Sequence, residues 1–267
     1  MRVKELALTL LLCGWCIACA ANPATCDART AAKSGTVSAT VVELYTSEGC
    51  DSCPPADKWF STLGNPRDGV VPLAFHVDYW DYIGWKDRFA RPVFAQRQRD
   101  SVSRHGSRTT YTPQVMLDGR DLRAWSNPLQ FQARLREVAS RQPRADLSLE
   151  TSVSGRGVEV ALSATVALPA DRTDAALYLA VTENNLTSGV TAGENKGVLL
   201  RHDHVVRELI GPIAVAQKDR AAGHFSAGRI VTLLPAWKRE ELSIVAFMQD
   251  ARTGEVLQAL STPLCRG

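Results

Sequence analysis

Beyond its first twenty residues the chain has no second C-x-x-C, and it has no H-x-x-x-H anywhere, so nothing completes a four-ligand structural zinc site. It also lacks a glycine-rich phosphate loop and a Gly-x-Ser-x-Gly elbow, which removes the usual signatures of nucleotide binding and of serine hydrolysis. An excess of one charge is missing too. Lys and Arg number 31 against 28 Asp and Glu, and the formal net charge of +3 makes no case for nucleic acid. After the first twenty residues no apolar run approaches a membrane span. There is no internal repeat and no low-complexity block, and the length suits two ordinary domains or one large one.

What is present starts with Arg2 and Lys4, an apolar run from Leu6 to Ala18, and the small residues Ala18-Cys19-Ala20-Ala21. This pattern predicts a signal peptide over residues 1–20 and a periplasmic or secreted protein with no stable membrane span after processing. Cys19 behind small residues keeps lipoprotein anchoring open as the minor alternative. Cys13 and Cys16 fall inside the leader and are discounted. Cleavage near Ala20 or Ala21 leaves Cys26, Cys50, Cys53 and Cys265, for which three pairings exist. Our choice is Cys50–Cys53 with Cys26–Cys265, which suits an oxidising compartment.

The informative stretch is Val41-Val42-Glu43-Leu44-Tyr45-Thr46-Ser47-Glu48-Gly49-Cys50-Asp51-Ser52-Cys53-Pro54-Pro55-Ala56-Asp57. Its β-branched and aromatic start reads as a buried strand. Pro54 and Pro55 are tolerable only in the first turn of a helix, and Ala56, Trp59, Phe60 and Leu63 supply its apolar stripe. Cys50 therefore stands at a helix start, where free N–H groups favour a thiolate, and Cys53 is placed to attack a mixed disulfide on Cys50. That is the layout of a thiol–disulfide exchange centre. A structural bridge with the same spacing remains the competing reading.

A second strand, Val70–Tyr79, puts Ala74, His76 and Asp78 on one face. His76 and Asp78 either modulate the cysteines or serve as a core histidine and a turn cap. An aromatic loop follows, Trp80 to Asp87, and reads either as a groove lining or as cover for the sheet edge. Pro92 opens a helix to about Arg104, with Val93 and Phe94 inward and a basic outer face of Arg91, Arg97, Arg99 and Arg104. Thr112-Pro113 leads into a further strand, Asp118-Gly119 marks a hairpin turn, and a last helix is capped by Ser126 or Asn127 ahead of Pro128.

The order β-α-β-α-β-β-α, with C-x-x-C at the first helix and Thr-Pro before the third strand, resembles the thioredoxin fold. The resemblance implies a cis Pro113 facing the cysteine pair, neighbouring backbone that pairs with a substrate chain, Cys50 as nucleophile and Cys53 as resolving thiol. Glu43 to Asp57, His76-Val77-Asp78-Tyr79-Trp80-Asp81, Gly84-Trp85-Lys86-Asp87 and Tyr111-Thr112-Pro113-Gln114 are similar to an exported bacterial family called domain of unknown function 1223. That family resemblance implies a thioredoxin-like fold and a redox pair but no substrate. Gly49 replaces the tryptophan of thioredoxin, and Asp51-Ser52 replaces its Gly-Pro. Asp51 sets a negative charge beside the thiolate and works against it.

Beyond Gln142-Pro143-Arg144 the pattern turns to short strands: Asp146–Val153, Val158–Leu168, Ala176–Glu183, Val198–Arg207, Gly228–Leu234, Leu242–Gln249 and Glu255–Leu260. The expected architecture is an α/β thioredoxin-like domain over residues 36–142, followed by an all-β sandwich-like accessory domain over 145–267. His202-Asp203-His204 would put both histidines on one strand face; two ligands do not make a metal site, and surface or interface histidines are the better reading.

The function expected is thiol–disulfide exchange at Cys50, Cys53 and Pro113, with Thr112, Trp80 and Trp85 as substrate contacts. Partners would be protein or small-molecule thiols and disulfides, with no cofactor, no metal and no nucleic acid. The alternatives are a non-catalytic binding protein with a structural Cys50–Cys53 bridge, or a copper-binding protein.

Overall fold

Val41 to Tyr45 are apolar or aromatic on both alternating faces except at Glu43, so the strand they form must be covered on both sides. In the computed structural model, which describes residues 29–64 and 69–265, that strand lies inside an eight-stranded mixed sheet. The expected signal peptide over residues 1–20 and Cys26, and with it the expected Cys26–Cys265 pairing, fall outside the described residues; Cys265 is buried. Among the described residues no helix is long and apolar enough to cross a membrane.

The first half holds β1 (Thr30–Lys33), β2 (Thr40–Thr46), α1 (Pro54–Phe60), β3 (Val70–His76), α2 (Pro92–Ser103), β4 (Gln114–Leu117), β5 (Arg120–Asp121) and α3 (Pro128–Ala139). β2 and β3 are parallel, β4 pairs antiparallel with β2, and β5 with β4. The second half holds β6 (Asp146–Ser154), β7 (Gly157–Thr165), α4 (Pro169–Arg172), β8 (Ala175–Glu183), β9 (Leu186–Gly189), β10 (Leu199–His202), β11 (Val205–Ile210), α5 (Gln217–Ala222), β12 (His224–Thr232), β13 (Leu242–Asp250) and β14 (Val256–Pro263).

The sheet does not stop at the compositional boundary near Gln142. Its order is β14-β13-β8-β11-β3-β2-β4-β5, and the two halves meet where β11 lies parallel to β3, Val205 opposite Ala74. A second sheet, β1-β6-β7-β12, packs face to face on the large one through Leu147, Leu149, Val160 and Leu162 against Leu177, Leu179, Ile244 and Ala246. In the second half two sheets share one core. One of them, however, is continuous with the sheet of the first half, so residues 145–267 are not a separately layered accessory unit. The reason is burial on both faces: every residue of β8 is buried, and such a strand belongs in the middle of a covered sheet.

α1 and α3 cover the same face, over Val42, Leu44, Ala74, Val115 and Leu117. α2 covers the opposite face, where Tyr45, Leu73 and Phe75 join Tyr178, Ala180, Val245 and Phe247 in one core drawn from both halves. Asn127 caps α3, its side chain accepting the N–H groups of Leu129 and Gln130.

Helix α2 departs from expectation at two positions. Its inward stripe is Phe94, Ala95, Gln98, Ser101 and Val102, which turns Val93 outward, half exposed, and carries Arg97 inward. Arg97 is not part of a basic outer face. Its guanidinium donates to both Glu43 oxygens, at 2.5 and 3.2 Å, beneath the rings of Phe75, Tyr178 and Phe247.

Candidate functional site

β2 and β3 end side by side, Thr46 opposite His76, and the C-terminal ends of parallel strands are where such folds place their chemistry. Beyond Thr46 the chain turns through Ser47-Glu48-Gly49, closed by a Cys50 N–H bond to the Ser47 carbonyl at 3.2 Å. Cys50 and Cys53 form a disulfide, with Cys53 as the N-cap of α1 and both prolines in its first turn. Both cysteines are buried, Cys50 at 1 % exposure and Cys53 at 0 %.

Gly49 explains how the cover fits. A Cβ at that position would stand 3.1 Å from the Cβ of Trp80 and 3.3 Å from Cδ1 of Ile83, so any larger residue would push the aromatic loop a few tenths of an ångström off the cysteine turn. Trp80 donates its indole N–H to Thr112 Oγ1 at 2.7 Å, and Trp85 donates its own to Glu48 Oε2 at 2.8 Å. The Thr112–Pro113 peptide is cis and leads into β4, whose Gln114 pairs with Tyr45. Thr112, Trp80 and Trp85 are thus tied by hydrogen bonds to one another or to the cysteine turn, while the ring of Tyr82 stands exposed beside Trp80.

Beneath the turn lies a buried group that sequence reading did not assemble: Glu48, Asp57, His76, Asp87 and His202, all 7 % exposed or less. His76 Nδ1 sits 2.7 Å from Asp87 Oδ2, which also accepts the Glu48 N–H. His202 lies 3.4 Å from Glu48 Oε1 and 3.7 Å from Asp57 Oδ2, at ion-pair distance without hydrogen-bond alignment. His76 is therefore a buried histidine paired with Asp87. The histidines of His202-Asp203-His204 do not share a face. The expected strand breaks at Asp203 and at His204, which has φ 58°, so β10 ends at His202 and β11 begins in another sheet. His202 turns into the buried group and His204 packs on Phe60. Among the described residues no group of three or more His, Cys, Asp and Glu is arranged to hold a metal ion.

Burial works against ionisation throughout this group, and the partners decide each outcome. Glu48 is held below the ordinary carboxyl value because His202 and Trp85 beside it outweigh burial. Burial pushes Asp57 up despite His202 and His76. Burial disfavours the His76 imidazolium, but Asp87, then Asp57 and Glu48, hold its pKa above 6.5. Asp87 is in turn held below 3.8, where His76 and two backbone N–H groups overcome burial.

A raised imidazole stabilises the fold fully below about pH 6.5 and loses that contribution as pH rises through its folded value; a depressed carboxylate stabilises above about pH 4 and loses it as pH falls. The His76–Asp87 contribution is therefore complete between about pH 4 and 6.5 and declines on both sides. Denaturation midpoints measured across this range should show the dome, and Asp87→Asn should flatten it. An unchanged dome in that variant would refute the pair's role.

The segment from Val190 to Val198, between β9 and β10, is the other component that sequence reading missed. Asn195 is buried and donates from Nδ2 to the carbonyls of Glu48 and of Cys50, each at 2.9 Å, while Glu194 Oε2 accepts the N–H of Asp51 at 3.1 Å. A Cβ on Gly193, at φ 75°, would meet Trp85 and Ile83 at 3.3 and 3.4 Å. In the sequence this is an ordinary polar loop, and nothing marks it as lying against residues about 145 positions earlier.

A family model described as protein of unknown function, DUF1223, matches residues 41–249. No curated protein matches the chain. Among solved structures, protein AGR_C_4864 from Agrobacterium tumefaciens is similar at 23 % identity and a TM-score of 0.58, over 83 % of this chain and 92 % of that one. HBP35 of Porphyromonas gingivalis is similar at 15 % identity and a TM-score of 0.61, over 86 % of this chain and 76 % of that one. At these identities the likeness is one of fold.

Proposed function

The chain belongs to the DUF1223 family, whose function is unknown, and we propose that it is an exported, thioredoxin-like thiol–disulfide oxidoreductase acting through Cys50 and Cys53. The observation that carries this reading is the disulfide itself. It sits directly past the end of β2, at the start of α1, with the cis Thr112–Pro113 peptide on the adjoining strand. The strand order β3-β2-β4-β5, with β3 parallel and β4 antiparallel to β2, supports the thioredoxin-like part of the proposal. In the forward step the Cys50 thiolate attacks a substrate disulfide. Cys53 then attacks Cys50 Sγ, closing the Cys50–Cys53 bond and releasing the second substrate thiol. Trp80, Trp85 and Thr112 border this path and are the proposed substrate contacts, and export is proposed from the leader.

The burial of both cysteines favours a second reading: an inert bridge that pins the turn while the aromatic loop binds a partner. Equilibration against glutathione with thiol trapping separates the two. A redox enzyme should give a reduction potential between about −120 and −270 mV, and Cys50 should alkylate ahead of Cys53 once the bridge is reduced. A value below about −300 mV, with both thiols unreactive, would establish the inert bridge instead.

A further inference from the structure

The Val190–Val198 segment packs Gly193 against Trp85 and Ile83 and sends two polar side chains, Glu194 and Asn195, onto the backbone around Cys50. Asn195 holds the carbonyls on either side of Gly49, those of Glu48 and Cys50, from a buried position. Glu194 seats its carboxylate on the peptide N–H of Asp51, one peptide bond beyond Cys50. The segment's own turn is fixed by Lys196 N–H to the Gly193 carbonyl and Val198 N–H to the Asn195 carbonyl, so both side chains are presented from an ordered loop.

The charges around Cys50 are mostly of one sign. Asp51 is its neighbour, Glu194 sits on the Asp51 N–H, and Glu48, Asp57 and Asp87 lie beneath the turn. Against them stand the two imidazoles, His76 and His202, with Asp203 beside the latter and Arg88 and Arg207 across the ring of Phe89. His76 is committed to Asp87. The Ser52 hydroxyl 3.3 Å from Cys50 Sγ and the nearby start of α1 favour a thiolate on Cys50, and the acidic groups around the turn disfavour it. A pair whose thiolate is disfavoured is more stable as the disulfide and gives up electrons readily.

We propose that Glu194 and Asn195 are positioning residues of the redox site, supplied by the C-terminal half, and that they bias Cys50–Cys53 toward donating electrons, so that its substrates are disulfides rather than dithiols. This rests on the redox reading of the pair and adds its direction. In the step concerned, the Cys50–Cys53 dithiol loses two electrons and two protons and forms its S–S bond. The S–S bond of the substrate breaks and yields two thiols, and a dithiol donor then restores the pair. Asn195 keeps the turn in the geometry that closes the bridge; the Glu194 charge destabilises the open thiolate.

The test uses the mature protein and its Glu194→Gln and Asn195→Ala variants, equilibrated with glutathione at about pH 7 and trapped by alkylation. The pH profile of Cys50 alkylation is read in a Cys53→Ser background. Glu194→Gln should move the equilibrium about three- to tenfold toward the dithiol, with the Cys50 midpoint shifted to lower pH, since one unit in a thiol pKa is about tenfold. Glu194 is exposed, so its effect should shrink in concentrated salt, which a purely structural role would not explain. Asn195→Ala should move the equilibrium the same way with no such salt dependence. An equilibrium and alkylation profile unmoved by Glu194→Gln, or moved toward the disulfide, would overturn the assignment. A wild-type disulfide that resists excess dithiothreitol would instead overturn the redox reading beneath it. Because Glu194 is exposed, its glutamine variant keeps the fold, and a matching denaturation midpoint checks this.

Discussion

Cys53→Ser is expected to leave Cys50 covalently joined to its substrate, and Cys50→Ser to abolish exchange altogether. With Cys53 replaced, Cys50 still attacks a disulfide, but nothing remains to close the internal bridge, so the mixed disulfide accumulates. With Cys50 replaced, the attacking thiol of the proposed mechanism is gone, and Cys53 at the N-cap of α1 has only the resolving role. Incubation with a dye-labelled mixed disulfide, followed by non-reducing electrophoresis, should show a stable adduct in Cys53→Ser and none in Cys50→Ser. Loss of the fold is not expected to mimic this. The two cysteines are three positions apart, and a loop that short carries a closure entropy worth only about 2 kcal/mol. Equal labelling of both variants would refute the assignment of roles, and labelling of neither would support the inert bridge.

The largest loss of stability should come from Arg97→Ala. Glu43, 3 % exposed, accepts two hydrogen bonds from Arg97 and one from the Tyr45 hydroxyl at 2.5 Å, and Gln249 stands 3.4 Å from the same guanidinium. Burial works against the charge on Arg97, yet Glu43 outweighs it and keeps the guanidinium charged. Truncating Arg97 would leave a carboxylate buried in an aromatic core, at a cost of about 3–5 kcal/mol, out of a total stability of about 5–15 kcal/mol for a domain of ordinary size. Replacing Glu43 and Arg97 together by apolar residues should cost much less, because no charge is then stranded. Urea midpoints of the two single variants and the double would reveal this non-additivity. Additive losses would mean that the pair is not coupled.

The elements of the first half were legible because their signals are local. Prolines open α1, α2 and α3, an asparagine caps α3, and apolar runs mark β2 and β3. The cysteine turn and the aromatic loop were legible for the same reason. Apart from the cis Pro113 that the family resemblance implied, what escaped the sequence was the relation between distant segments. Arg97 read as solvated because arginine usually is; its partner Glu43 lies on a strand facing it across the core. Residues 199–207 read as one strand because β-branched residues follow the histidines, yet Asp203 and Asn184 take the backbone out of the ladder there by accepting the N–H groups of Asn185 and His204. The layering of the second half was half legible. Alternation in β6 and β7 announces a sheet with one covered face, whereas nothing in β11 says that its neighbour is β3.

That last neighbour has a bearing on how the chain reaches its native state. β3 has β2 on one side, and its other side stays an open edge until β11, some 130 residues later in synthesis, arrives to close it. Contacts so far apart in sequence are slow to form, and an unpaired strand edge in the meantime invites pairing with another chain. A nascent polypeptide that stalls after α3 would hold its cysteine turn without Asn195 and its β3 edge without a cover. The sheet of the half that carries the cysteine turn is therefore completed only after β11 has been made, and until then the growing chain carries an edge open to its neighbours.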